Sequence, residues 1–186
     1  MQEKDFRTRR ITYMAMLVAI SFVLKSLLGY EQADWAIRFY DVPLFITGIM
    51  FGPVYGLLAG LMTDTLHILW PLNFATMYNL MTLSSMSWGL AGGLFFHGKK
   101  HLSKQFLAGV VIVVSLFSFT VISIQLYGPQ RYFFFGLSPI PGMFMRFGVL
   151  LITLPLRIYL IRTLFDRVIA PNHVYQFMLE DQTNHS

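Results

Sequence analysis

The stretch VPLFITGIMFGPVYGLLAGLMTDTLHILW, residues 42–70, contains two apolar segments that meet at Gly52-Pro53. This pair breaks a helix, because glycine favours turn conformations and proline cannot donate the hydrogen bond of a helix interior. We therefore predict two helices, over 42–51 and 54–70. The first is short, since about eleven helical residues cover only roughly half of a bilayer core.

The rest of the chain has the same apolar character. Of its 186 residues, 55% are hydrophobic and only 12% are charged, whereas a soluble domain carries about 25% charged residues. This composition, with a mean hydropathy of +0.58, argues against a soluble domain and against disorder. We predict an all-α, polytopic integral membrane protein that forms a single domain over 1–186. Its six approximate spans are 11–29, 42–51, 54–70, 77–96, 105–127 and 139–164.

The positive charges predict the orientation of these spans. Lysine and arginine collect in cytoplasmic loops, and most of them here fall on one side: Lys4, Arg7, Arg9, Arg10, Lys99, Lys100, Lys104, Arg157, Arg162 and Arg167. Arg38 and Arg131 fall on the other side. We therefore expect both termini in the cytoplasm. The net charge of +5 is then explained by topology, with no nucleic-acid partner.

Few kinds of chemistry remain open to this composition. The chain has no cysteine, which excludes disulfides and thiolate nucleophiles. Residues 93–100 resemble a phosphate-binding loop but lack the Ser or Thr that holds magnesium. We predict no cofactor and no metal site, and we expect any ATP hydrolysis to occur on a partner. Asp64 and His67 share a helix face and could serve an intramembrane enzyme, although a structural hydrogen-bonded pair is favoured.

Several charged residues lie within the predicted spans. An intramembrane charge costs at least about 2.5 kcal/mol, so each one needs a partner, a cavity or a route to the surface. Lys25 and Arg146 both fall in the outer half of the membrane, where they could attract an anion that enters from outside. The alternative is that each cation pairs separately, for example with Asp64 or Asp41. We expect Arg157, near the cytoplasmic end, to extend to the surface.

Small and polar residues suggest two further features. Ala15 and Ala19, four residues apart on the first helix, leave a groove for another helix, either within the bundle or on a partner. Asn79 and Gln125 lie at one level of the outer half, and buried amides need hydrogen-bond partners. An apolar pocket with a few converging polar groups is typical of a small-molecule site.

Four motifs carry a resemblance to a known family: RITYMAMLVA at 10–19, IRFYDVP at 37–43, FITGIMFGPVYG at 45–56 and YNLMTLSS at 78–85. With the Gly60 and Asp64 that follow, the chain resembles an S-component of an energy-coupling factor (ECF) vitamin transporter. S-components are the substrate-binding membrane subunits of these importers. The folate family is the most similar.

The resemblance implies a function and a set of residues. It implies a six-helix bundle, without enzyme activity, that binds a water-soluble vitamin from outside a prokaryotic cell membrane. It also implies a membrane coupling protein, which Ala15 and Ala19 face, and two ABC-type ATPase subunits. The matching pocket positions are Trp35, Arg38, Tyr78, Asn79, Thr82, Gln125 and Arg146, with Lys25 close by.

The identity of the vitamin depends on residues 75–82. Folate-specific members tend to have Phe-Pro-Gly-Phe-Thr there, where this chain has ATMYNLMT. A smaller carboxylate, pantothenate, would suit Lys25 or Arg146 and is slightly favoured over folate. A hydroxymethylpyrimidine or other thiamine precursor is an alternative. From other classes, the intramembrane enzyme stays open, while the lack of a visible inverted repeat argues against a self-sufficient carrier.

Overall fold

In the computed structural model, the residues described are 3–28, 39–69, 80–99, 103–127 and 140–169. They form six α-helices, which confirms the predicted all-α fold. The helices are α1 (Glu3–Leu28), α2 (Asp41–Phe51), α3 (Pro53–Leu69), α4 (Leu80–Phe96), α5 (Lys104–Tyr127) and α6 (Ile140–Leu164), and a π-helical turn (Phe165–Ile169) follows α6.

The short helix α2 is the centre of the bundle. All of its residues are buried, and it packs against α1, α3, α4 and α6. A helix surrounded in this way must be largely apolar on every side, and apart from Asp41 and Thr47 the sequence of α2 is apolar. Its 11 residues extend for only about 16 Å. One end of α2 therefore lies deep within the bundle.

The predicted break at Gly52 is present. Gly52 adopts a φ of 96° and a ψ of 173°, a backbone conformation that is essentially restricted to glycine. Its N–H donates to the carbonyl of Gly48 at 2.8 Å. Arg10 of α1 donates to the carbonyl of Phe51 at 3.3 Å, and Nδ1 of His97 lies 3.1 Å from the carbonyl oxygen of Ile49. The end of α2 is thus held by α1 and by the residues after α4.

The glycines bring the backbones of α2, α3 and α4 into contact. A Cβ atom added to Gly89 would collide with the carbonyl of Gly56, and one added to Gly48 would collide with the carbonyl of Gly89. No side chain fits between helices at such positions, so these glycines allow the three backbones to approach closely.

We expect Gly89→Ala to lower the melting temperature of the purified protein by about 5 °C, because overpacking costs about 1–3 kcal/mol. Gly148→Ala is the control, since a Cβ there would meet nothing within 4 Å. Alanine is the better helix former, so the control should melt at or slightly above the wild-type temperature. Equal melting temperatures for Gly89→Ala and the wild type would contradict this packing.

The outer surface of the bundle is apolar. Large exposed hydrophobic side chains occur on every helix except α2, for example Ile11, Leu69, Leu94, Val113 and Ile152. The segments Lys104–Ile124 and Met143–Arg167 are by length and composition able to cross a membrane. A surface of this kind is suited to lipid rather than to water.

Candidate functional site

A cavity lies between α4, α5 and α6, and the start of α2 also contributes to it. Its volume is about 60 Å³, well below the range of about 300–1,000 Å³ that is typical of small-molecule sites, so a vitamin-sized ligand would also have to occupy space outside this volume. The polar residues that line it are Asp41, Ser84, Ser115, Ser118, Arg146, Thr153 and Arg157, and the apolar ones are Phe119, Ile122, Val149 and Leu150.

The two arginines lie at opposite ends of this cavity. Arg146 and Arg157 are both on α6, and eleven residues of helix separate them by about 16 Å. At the Arg157 end, Ser115 of α5 lies within 3.5 Å of the guanidinium. Towards the Arg146 end, the rings of Phe119 and Phe147 are in contact, with centroids 6.1 Å apart. An elongated ligand could therefore meet a cation at each end.

Arg157 forms a buried ion pair with Asp41. Its Nη2 lies 3.2 Å from Oδ2 of Asp41, and the two side chains are only 7% and 3% exposed. The expectation that Arg157 extends to the membrane surface was therefore wrong. The reason is the short α2, whose first residue lies deep enough in the bundle to supply a carboxylate.

Trp88 supports this end of the cavity. Its indole N–H donates to Oγ of Ser118 at 3.0 Å, and its ring meets Phe45 edge to face, with centroids 6.0 Å apart. The guanidinium carbon of Arg157 lies 5.2 Å from the Trp88 ring centroid, a distance typical of a cation–π contact. The position of Arg157 is thus set by α2, α4 and α5 together.

A second buried ion pair joins α1 to α3. Nζ of Lys25 lies 2.5 Å from Oδ1 of Asp64, and the side chains are 12% and 4% exposed. Nζ also lies 5.0 Å from the ring centroid of Tyr40, the residue before α2. Neither Lys25 nor Asp64 is among the described residues that line the cavity.

Asp64 and His67 do not pair with each other as the sequence suggested. Asp64 takes Lys25 as its partner, and Nδ1 of His67 lies 3.4 Å from Oγ of Ser26 on α1. Within the described ranges, no group of three or more His, Asp or Glu residues is placed to hold a metal ion.

The predicted site residues are distributed as follows. Arg146 lines the cavity, and Thr82 is buried on α4. Ala15 and Ala19 are exposed on α1. Trp35, Arg38, Tyr78, Asn79 and the side chain of Gln125 lie outside the described residues. The substrate-binding roles of all of these, and of Lys25, stay predictions.

The sequence reasoning missed Ser115 and Ser118, and it named Asp41 as a possible partner of Lys25 or Arg146 but not of Arg157. Asp41 directly precedes the predicted span 42–51, and a span this short already implied that one of its ends lies inside the membrane. Ser115 and Ser118 are three residues apart on the mostly apolar α5. Residues at this spacing share a helix face, so a polar face was detectable in that span.

An all-helical bundle with an apolar outer surface and a partly polar cavity is typical of membrane-embedded proteins that bind small molecules. The comparisons then give the family. The family model "ECF transporter, substrate-specific component" matches residues 9–170. The chain belongs to this family.

One similar protein is named as a folate transporter, and one similar solved structure contains folic acid. The chain is 31% identical over 116 residues to the folate transporter FolT of Clostridium novyi (strain NT), a match that spans 61% of this chain and 66% of the relative. The fold is similar to a crystal structure of FolT bound with folic acid, at a TM-score of 0.66 and 20% identity. That similarity covers 85% of this chain and 93% of the other.

Proposed function

We propose that this protein is the vitamin-binding subunit of an ECF-type importer and that the vitamin occupies the cavity between α4, α5 and α6. The observation that carries the proposal is the composition of the cavity wall, in which Arg146 and Arg157 accompany several hydroxyl groups and an apolar side. A small number of placed polar groups in an apolar cleft is the usual design of a ligand site.

The arginines favour a ligand that carries a carboxylate. The guanidinium group matches a carboxylate in shape and charge. Folate and pantothenate both have such a group, whereas a hydroxymethylpyrimidine does not need a cation. The slight preference for pantothenate gains no support from the comparisons, because the curated relative is a folate transporter. Folate is therefore the first candidate substrate and pantothenate the second.

The remaining residues complete this proposal. Trp35, Arg38, Tyr78, Asn79, Thr82 and Gln125 are proposed to contribute to the same ligand site from the outer side of the membrane. Both termini would then lie in the cytoplasm of a prokaryotic cell, with the chain crossing the membrane several times. Two ABC-type ATPase subunits would supply the energy through a membrane coupling protein.

Calorimetric titration of the purified protein in detergent tests the proposal. Folate, or failing that pantothenate, should bind at one molecule per chain without any partner subunit. If neither vitamin binds, the proposed function is wrong. Chemical turnover of a ligand by the isolated protein would instead favour the intramembrane enzyme.

The exposed alanines predict where the coupling protein docks. We expect Ala15→Trp to abolish vitamin uptake by cells while the purified variant still binds the vitamin, because an indole fills the groove between small residues. Ile20→Trp is the matched control, since Ile20 is also exposed but points about 100° away from Ala19. Uptake that persists in the Ala15→Trp variant would show that this groove is not the docking surface.

A further inference from the structure

The Arg157 end of the cavity already contains a carboxylate that belongs to the chain. Asp41 and Arg157 both line the cavity and form a buried ion pair at 3.2 Å. Asp41 is also the first residue of α2, where the helix dipole favours a negative charge. A guanidinium and a helix N-terminus therefore both act on this one carboxylate.

The same two groups would attract the carboxylate of a ligand. An anion that enters from the Arg146 end gains attraction from Arg157 and meets repulsion from Asp41. Both the attraction by Arg157 and the repulsion by Asp41 are strong, because the surroundings are mostly apolar and weaken charge interactions less than water does. Binding at this end thus requires Arg157 to exchange one carboxylate for another.

We propose that Asp41 is an internal competitor of the substrate, a carboxylate that Arg157 releases when a carboxylate of the vitamin binds. This inference rests on the proposed function. Asp41 and Arg157 together determine the affinity of the protein for ligands that carry a carboxylate. In the empty protein the pair avoids an isolated buried cation, which would be strongly unfavourable. In the loaded protein the carboxylate of the vitamin pairs with Arg157, while the N-terminus of α2 continues to stabilise the carboxylate of Asp41.

The competition predicts that removing the charge of Asp41 strengthens folate binding instead of weakening it. Asp41→Asn removes the competing charge and keeps the shape of the side chain. We expect it to bind folate about tenfold more tightly than the wild type. The free energy of a tenfold change lies at the low end of the coupling energies measured for close charge pairs. The diamide of folate, in which both carboxylates are amides, should bind both proteins equally.

The matched control is Asp64→Asn. Asp64 is as buried as Asp41 and also belongs to an ion pair, but it is not among the described residues that line the cavity. Its substitution should not strengthen folate binding. Tighter binding by both variants would mean that any loss of negative charge favours folate, and this would overturn the proposal.

A second variant protects the test against misfolding. Asp41→Leu combined with Arg157→Met replaces the ion pair with apolar side chains of similar size, an exchange that buried pairs tolerate well. We expect it to bind folate about tenfold more weakly than the wild type, with no change for the diamide. If Asp41→Asn does not fold, an unchanged folate affinity in this double variant still overturns the exchange.

The outcomes separate this inference from the proposed function. Failure of the wild type to bind folate or pantothenate overturns both. If the wild type binds pantothenate alone, pantothenate and its amide replace folate and the folate diamide in the same comparisons. If the wild type binds but the Asp41→Asn variant is unchanged or weaker, Asp41 is only a structural counter-ion. An unchanged affinity in the double variant would also overturn the exchange, since Arg157 would then not contact the ligand.

Discussion

We expect the Lys25→Met variant to melt about 10 °C below the wild-type protein. Methionine leaves the Asp64 carboxylate buried, at 4% exposure, without the ammonium group 2.5 Å away. Breaking one partner of a buried ion pair costs about 3–5 kcal/mol, and each kcal/mol shifts the melting temperature of a chain of this size by about 2–4 °C. Thermal unfolding of the detergent-solubilised variant measures this loss.

The double variant Lys25→Met with Asp64→Leu should recover most of that stability, because no charge is then left unpaired. Arg162→Met is the control, since Arg162 forms an exposed pair with Asp166, and such pairs contribute little. A single Lys25→Met variant as stable as the wild type would contradict a structural role for the pair. A stable double variant that no longer binds folate would place Lys25 in the substrate site.

We expect Arg146→Ala to weaken folate binding by about 100-fold. Truncating a charged group that meets an opposite charge in a partly buried site costs about 2–5 kcal/mol. Arg146 is half-buried and lines the cavity at the end opposite to Arg157. Calorimetric titration with folate measures the change, and Arg146→Lys should bind with intermediate affinity because it keeps the charge without the planar shape.

The control for Arg146 lies on the same helix. The side chain of Arg162 is 35% exposed in its ion pair with Asp166. Arg162 is not among the described residues that line the cavity. Arg162→Ala should therefore bind folate as the wild type does. Wild-type affinity in the Arg146→Ala variant would show that the vitamin does not reach this end of the cavity.

The helices could be predicted because hydrophobic length and helix-breaking pairs are local properties. Gly52-Pro53 ends α2 where the sequence indicated, and the predicted spans at 42–51, 54–70 and 77–96 correspond to α2, α3 and α4. Each of these signals depends on residues that are close together in the chain. The all-α fold and the family followed from them.

The ion pairs could not be predicted because they depend on how deeply each helix end lies. Asp41 and Arg157 are 116 positions apart in the chain, and only the depth of the first turn of α2 brings them together. Likewise Lys25 reaches Asp64 across the α1–α3 contact. The sequence offered Asp64 as one possible partner of Lys25 but gave no means of choosing it over Asp41.

Mass spectrometry of the small molecules released from the purified protein tests the central claim most directly. The protein is purified alone in detergent, denatured, and its supernatant compared with that of the Arg146→Ala variant. We predict a near-stoichiometric carboxylate-bearing vitamin, folate first, in the wild-type sample and a strongly reduced amount in the variant. Equal amounts of the same compound in both samples, or a compound without a carboxylate, would contradict the account.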